Sequence, residues 1–254
     1  TNDIAYIQIG FSTHSVPNQM IPYIPLLATL IMGMGTRKHS YIEISKLMGM
    51  HTGGIRNSHF SSATVEDRHQ VLSYIFFNGK ALMEKVDNLF DLFDELFSEY
   101  SFDDTKRLVE IIKSSKADME DSIVPHGNHY VSARLQSYQS RLGKFDELTD
   151  GITYYRFLEQ LLESVEKNPT EVADQFRQVA ERVFTRKNAL FNVTSGKKDY
   201  PKIEKRIAGT VNVLSDKTWA SEEWDLKIIS LNEGFLTASN VQHVGKGANL
   251  YDFG

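Results

Sequence analysis

Residues 4–55 read IAYIQIGFSTHSVPNQMIPYIPLLATLIMGMGTRKHSYIEISKLMGMHTGGI, and the fold is decided there because the hydrophobic period changes within it. Ile4 to Phe11 alternates and is rich in Ile, Tyr and Phe, which predicts a strand. Pro17 opens a helical stretch through Ile31 that stops at Gly33-Met34-Gly35. Met20 to Met34 is the most apolar run of the chain, but two prolines, a tyrosine and a threonine interrupt it, so it reads as a buried helix. Ser40-Tyr41-Ile42-Glu43 has capping-box form and starts a short helix to about Met48. Gly53-Gly54 marks a turn into a second strand, Ile55 to Ser62.

Further along, Val71 to Phe77 is strongly β-favouring and is expected to end at Asn78-Gly79. From Leu82 the apolar residues step by three and four (Val86, Leu89, Phe90, Phe93, Leu96, Phe97), which is one stripe on a helix. Lys106–Ile123, Tyr130–Leu142 and Thr153–Val165 read as further helices. Asn168-Pro169-Thr170-Glu171 starts another, to about Thr185, with Asn as N-cap and Pro at the first helical position. Ala189–Thr194 is a fourth strand and Pro201–Leu214 a last helix. Lys217–Glu223 looks like a linker, and Leu226–Leu231 and Val241–Val244 are strand-like again. This order predicts an α+β layered sandwich of sheet and helices rather than a regular parallel barrel.

The chain has 254 residues, 41% hydrophobic and 24% charged, enough for one large domain or one domain and part of another. A net charge of −5 without a basic block argues against a nucleic-acid partner. No apolar run approaches the roughly 18 residues of a membrane span, so no membrane partner is expected. The absence of Cys excludes disulfides, thiolate zinc sites and a Cys nucleophile, and suits a reducing compartment. The first residues carry no basic signal-peptide region and no initiator Met, so the chain looks cut from something longer and not secreted.

The eight histidines form neither HExxH nor HxxEH. His126-Gly127-Asn128-His129 has a metal-like step, but Pro125 and Gly127 argue for a loop, and zinc wants three or four convergent ligands. His51 and His59 flank Gly53-Gly54 and read as turn or surface residues; His69 beside Asp67 lacks any activated-serine signature and reads as a solvated turn. Asn192-Val193-Thr194 matches a glycosylation sequon but lies in an expected buried strand. Arg134, Arg141 and Lys144 form a modest basic patch, by default a solvated helix face, with peptide or carboxylate contact as the lesser reading. The residues alone therefore give an α+β domain without a self-contained catalytic set.

Three stretches resemble the presequence-protease branch of the M16 peptidases (subfamily C of the pitrilysin–insulinase superfamily). They are residues 4–55, residues 123–161, and NEGFLTASNVQHVGKGANL at 232–250. In the second, the matches are Gly127, His129, Arg134, Ser137, Ser140, Gly143, Glu147, Gly151, Phe157 and Leu158. The resemblance implies an M16-type sandwich with a large helical insertion. In that family HxxEH on the first helix binds zinc and activates water. Here the equivalent stretch is Pro22-Tyr23-Ile24-Pro25-Leu26-Leu27, so Tyr23, Leu26 and Leu27 stand at the degenerate motif positions. Apolar side chains can neither ligate zinc nor move a proton. The family's fourth-domain motif, resembling RxxGGAYG, is absent, because the sequence stops at Phe253-Gly254 first. No catalytic, metal-binding or substrate-binding residue is carried over.

The resemblance then implies residues 1–218 as a non-catalytic third domain, and 219–254 as a linker with the first strands of an incomplete fourth. The function implied is the C-terminal-half portion of a zinc-dependent peptidase of unstructured peptides, inactive alone, supplying chamber wall and substrate contacts. No cofactor is expected in this fragment, with zinc in the parent's N-terminal half. The partners would be the N-terminal catalytic half of the same polypeptide and peptide substrates. The location implied is a bacterial cytoplasm or an organellar matrix. An apolar helix face suggests surface normally covered, so the isolated piece is expected to be able to form a homodimer. The alternative is a stand-alone interaction or scaffold module on an M16-like fold. A remote third reading is an unrelated hydrolase using His69 or His126.

Overall fold

The computed structural model describes residues 3–238 and 240–249. Of the third resembling stretch, Ser239 and Leu250 therefore lie outside the described residues, as do Thr1 and Phe253-Gly254. β1 (Ile4–Ser12), β2 (Ile55–Ala63), β3 (Val71–Leu82) and β4 (Ala189–Thr194) form an antiparallel sheet in the order β2-β3-β1-β4. Register pairs Ile9 with both Phe77 and Phe191, so the alternation Ala5, Ile7, Ile9, Phe11 turns one face to the core.

That face is covered by helices. α1 (Tyr23–Gly33) follows a short 3₁₀ turn at Asn18–Met20, so the expected single helix from Pro17 is two pieces. Pro22 and Pro25 account for the later start, since proline is tolerated only in a helix's first turn. α2 (Tyr41–His51) carries the capping box read from sequence: the Ser40 hydroxyl accepts from the Glu43 amide, and Glu43 accepts from the Ser40 amide at 2.9 Å. α3 (Val86–Ser98) buries the predicted stripe from Val86 on (Val86, Leu89, Phe90, Phe93, Leu96 and Phe97) and Leu92 beside it, whereas Leu82, expected to head the stripe, ends β3 and is exposed. Each such side chain contributes about 1.5–3 kcal/mol when fully buried. Phe97 meets Phe11 and Phe77 edge-on, each at 4.9 Å between ring centroids.

Asn78-Gly79 is not a turn. β3 runs through it to Leu82, and a Cβ on Gly79 would lie 2.7 Å from Leu89 and 2.8 Å from Phe93. The glycine is there because α3 crosses directly above the strand.

α4 (Thr105–Ile123), α5 (Gly127–Ser137), α6 (Arg141–Thr149), α7 (Ile152–Lys167) and α8 (Pro169–Val183) make the helical insertion. α8 starts as read, with the Asn168 side chain accepting from the Glu171 amide. The single helix expected over Tyr130–Leu142 is instead two, α5 and α6. Ser140 caps α6 by accepting from the Gly143 amide at 2.9 Å, and a Cβ on Gly143 would overlap the Gln136 carbonyl. The expected loop at 126–129 is likewise helix from Gly127 onward.

α9 (Tyr200–Val213) is the last helix among the described residues. Beyond it Leu226–Leu231 and Val241–Val244 carry no strand pairing, contrary to expectation. An extended segment becomes a strand only against a ladder partner. The 217–223 stretch is pinned to the domain: the Trp219 indole donates to the Glu181 carbonyl at 3.2 Å, and Glu222 N donates to the His14 carbonyl at 2.7 Å.

Candidate functional site

α1 stands where the resemblance would put a catalytic helix. Positions 23, 26 and 27 share one helix face. Leu26 and Leu27 are 1% and 0% exposed. Tyr23 packs edge-on against Phe157 and Phe176, and its hydroxyl donates to Gln175 Oε1 at 2.6 Å. Two methyl-bearing side chains and a phenol already engaged by an amide do not fit a zinc ion. Among the described residues, no group of three or more His, Asp or Glu side chains could hold a metal ion.

The histidines lie apart. His126 precedes α5, its Nδ1 3.0 Å from the Ser122 carbonyl, whereas His129 is on α5 with Nε2 4.0 Å from Asp150. His51 ends α2, and the His69 amide donates to Asp67 Oδ1 in an exposed turn. His59 departs from its expected surface role. It points into the core from β2, its Nε2 3.0 Å from Ser73 Oγ, and burial lowers its pKa to about 4. The sequon also departs from expectation: β4 is an edge strand, and Asn192 is exposed with its amide donating to Gln8 Oε1 at 3.2 Å.

The opposite face of the sheet, away from the helices, carries the best-formed polar array. Asn192 on β4, Gln8 on β1, Asn78 on β3 and Ser58 on β2 link in sequence across all strands: Gln8 Nε2 donates to Asn78 Oδ1 at 2.6 Å, and Asn78 Nδ2 to Ser58 Oγ at 3.3 Å. Beside this amide ladder Phe76 stacks on Tyr74 at 5.8 Å and meets Phe60 edge-on at 6.3 Å. Gly10 on β1 leaves room for the Phe76 ring, which a Cβ there would strike. Tyr6, Phe60 and Leu190 are exposed on the same face. Side-chain amides and aromatic rings offer hydrogen bonds and apolar contact without charge selectivity. Sequence reading missed this site because strand alternation there mixes polar and aromatic residues; the signal available was the out-facing set Gln8, Asn78, Asn192.

The basic patch is not a solvated face. The Arg134 guanidinium is engaged by Glu147, Thr153 and Tyr138, and Arg141 donates to the His69 and Trp224 carbonyls at 2.9 and 2.8 Å. Lys144 is half-buried on α6.

Residues 1–161 match the family described as associated with peptidase M16, subfamily C. The chain belongs to that family. This M16-associated chain is 29% identical over 254 residues to Protein HypA of Clostridium perfringens, covering 100% of this chain and 26% of that protein. It is 27% identical over 255 residues to presequence protease 1, chloroplastic/mitochondrial, of Arabidopsis thaliana, covering 100% of this chain and 24% of that protein. The chain thus spans about a quarter of the length of these relatives. A crystal structure of a peptidase M16 inactive domain from Pseudomonas fluorescens superposes with a TM-score of 0.57 at 10% identity, over 87% of this chain and 48% of that one. At that identity the likeness speaks to fold, which is the α+β sandwich with a helical insertion. The presequence-protease resemblance carried by residues 4–55 and 123–161 holds at the level of family. Relatives include bacterial and organellar proteins, and no described helix is long and apolar enough to cross a membrane.

Proposed function

We propose that this M16-family chain is the non-catalytic, C-terminal-half portion of a zinc-dependent peptidase that degrades unstructured peptides, and that it forms chamber wall and substrate contacts. The observation that carries the reading is the contrast between two surfaces. The helix face at Tyr23, Leu26 and Leu27 is packed shut with apolar groups, while the sheet face bearing Gln8, Asn78, Asn192, Phe60, Tyr74 and Phe76 is left without a helical cover. A wall of that composition can hold an extended peptide by amide hydrogen bonds and ring contacts, whatever its sequence. Zinc and the hydrolytic residues would come from the N-terminal half of the same polypeptide; no hydrolytic step is assigned to a residue of this chain. Residues 1–218 would be the third domain, and 219–254 the linker and first strands of the fourth, whose sheet would supply the ladder partners that Leu226–Leu231 lacks. The compartment would be a bacterial cytoplasm or an organellar matrix.

The test is complementation. The zinc-bearing half is expressed separately and assayed on an unstructured fluorogenic peptide, alone and with this protein extended through the RxxGGAYG-like segment. Cleavage that appears only on mixing and vanishes with a zinc chelator supports the reading. No association and no gain would favour the stand-alone scaffold, and stoichiometric zinc with cleavage by this protein alone would overturn the assignment.

A further inference from the structure

Arg134 on α5 is held from behind by a carboxylate with no solvent access. Its Nη1 donates to Glu147 Oε1 at 2.9 Å and to Thr153 Oγ1 at 3.0 Å. Glu147 is 0% exposed, and its Oε1 also accepts the Thr153 amide at 2.9 Å and hydroxyl at 3.0 Å. Its Oε2 has no hydrogen-bond partner and lies against Gly151, where a Cβ would overlap it. Burying an ion pair in this way is weak as a source of stability, because desolvation offsets the attraction; what it fixes is direction. Here it turns the other edge of the guanidinium, Nε and Nη2, outward beside the Tyr138 hydroxyl. That edge is a planar two-donor fork of the kind that matches a carboxylate.

The fork is filled by the chain itself. Glu233 accepts from Nε at 2.7 Å and from Nη2 at 2.9 Å, and the Tyr138 hydroxyl donates to the same carboxylate. The Phe235 ring lies under two cations, 5.7 Å from Arg134 and 5.6 Å from Arg156. Yet every described residue from Lys227 to Ala248 is exposed, Ile229, Leu231 and Leu236 among them. Around Glu233 and Phe235 the segment is thus attached to the helical insertion through a small charged contact rather than a buried apolar one, and it meets α5 again further on, where Gly245 lies against Val131 and Leu135.

We propose that Arg134, Tyr138, Glu147 and Thr153 form a carboxylate receptor on the helical insertion, and that Glu233-Gly234-Phe235 is its occupant, making a releasable ionic latch for the segment after α9. The proposal stands independently of the peptidase reading. Its chemistry is a carboxylate with an aromatic neighbour two residues on. Release parts the partly hydrated ion pair together with the Tyr138 hydrogen bond and the Phe235–cation contacts, and its charged share weakens as ionic strength rises.

The test uses the whole chain. Chymotryptic cleavage after Phe235 is timed at 50 mM and at 1 M NaCl, against tryptic cleavage after Lys217 as internal reference. A protease must lift Phe235 off the cations before it can bind the bond. E233Q, which changes one exposed side chain, is expected to cut about five- to tenfold faster than the parent at low salt, the effect of losing a charge-assisted pair discounted for solvent. Tyr138→Phe should fall between. High salt should bring the parent up to the E233Q rate and leave E233Q nearly unchanged. Equal rates for parent and E233Q at low salt, or a parent rate indifferent to salt, would overturn the latch.

Discussion

Replacing Leu26 by glutamate asks whether the α1 face is core or a wet relic of a site. Leu26 is 1% exposed, and its neighbour on the same face, Leu27, is 0% exposed. Removing a buried leucine's packing costs about 3–5 kcal/mol. Glu and Gln have nearly the same shape, so comparing L26E with L26Q cancels most of that packing loss. What remains is the charge. A carboxyl buried at this depth has its pKa raised by up to about 3–4 pH units, and each unit is worth about 1.36 kcal/mol. The folded state then holds a proton that the unfolded state releases above about pH 4.3. L26E should therefore lose stability relative to L26Q as pH rises from about 4.5 to 7, by about 3 kcal/mol. Urea unfolding followed by far-UV circular dichroism at both pH values gives the difference directly. If L26E and L26Q unfold together at pH 7, the charge has reached water, position 26 is solvated, and the packed-shut reading of Tyr23, Leu26 and Leu27 is wrong.

His59 gives a second pH signature. Its pKa falls from 6.5 to about 4 on folding because of burial, so its neutral form favours the native state fully above 6.5. That contribution is lost as pH falls from 6.5 to about 4, by about 3 kcal/mol at the limit. H59Q, which can still reach Ser73, should flatten the acid limb of the urea midpoint over that window; an unchanged limb would mean that the imidazole is not desolvated. Gly79→Ala should destabilise by about 1–3 kcal/mol in thermal unfolding, since the added methyl meets Leu89 and Phe93. The opposite sign, a gain from lost chain entropy, would show that α3 does not press on β3 there. In the complemented peptidase, Phe76→Ala should raise KM for an unstructured peptide severalfold with kcat held and the thermal midpoint nearly unmoved. A KM that stays put would remove the sheet face from substrate contact.

The elements legible in the sequence were those whose period and caps agree locally. The α3 stripe, the Ser40 capping box and the Asn168-Pro169 start needed no partner to be recognised. What was missed depended on neighbours. Asn78-Gly79 has turn chemistry, yet the glycine serves a helix arriving from beyond it. The α5–α6 break hides inside a helical period, because a serine cap and one close-approach glycine, Gly143, make the bend without a proline. Arg134 reads by default as a solvated cation, with carboxylate contact only the lesser reading, because a buried Glu147 thirteen positions on leaves no trace in the local pattern. Several residues that carried the family resemblance are these same ones. Ser140 caps, Gly143 and Gly151 make space, and Arg134 and Glu147 pair. The likeness in that stretch is the geometry of a helical hairpin and says nothing by itself about hydrolysis.

The segment after α9 is held in two physically different ways. Trp224 is buried, stacked between His14 at 4.7 Å and Phe145 at 4.9 Å, with its indole donating to the Val16 carbonyl at 2.8 Å. Glu233 is held by the Arg134 guanidinium and the Tyr138 hydroxyl. Burial of an indole persists in salt and is strengthened by it, whereas a partly hydrated ion pair weakens as ionic strength rises. The two anchors therefore separate experimentally: high salt should free residues 227–238 while leaving Trp219 to Leu226 in place, and Trp224→Ala should loosen the nearer stretch at any salt. That division sets a fixed end on the domain and a releasable one beyond it. It also accounts for exposed Ile229, Leu231 and Leu236 on a segment that nonetheless has a defined path: Trp224 fixes one end, Glu233 and Phe235 tie it to the helical insertion, Gly245 lies against Val131 and Leu135 beyond, and its apolar residues are left available for a sheet that would pair with them.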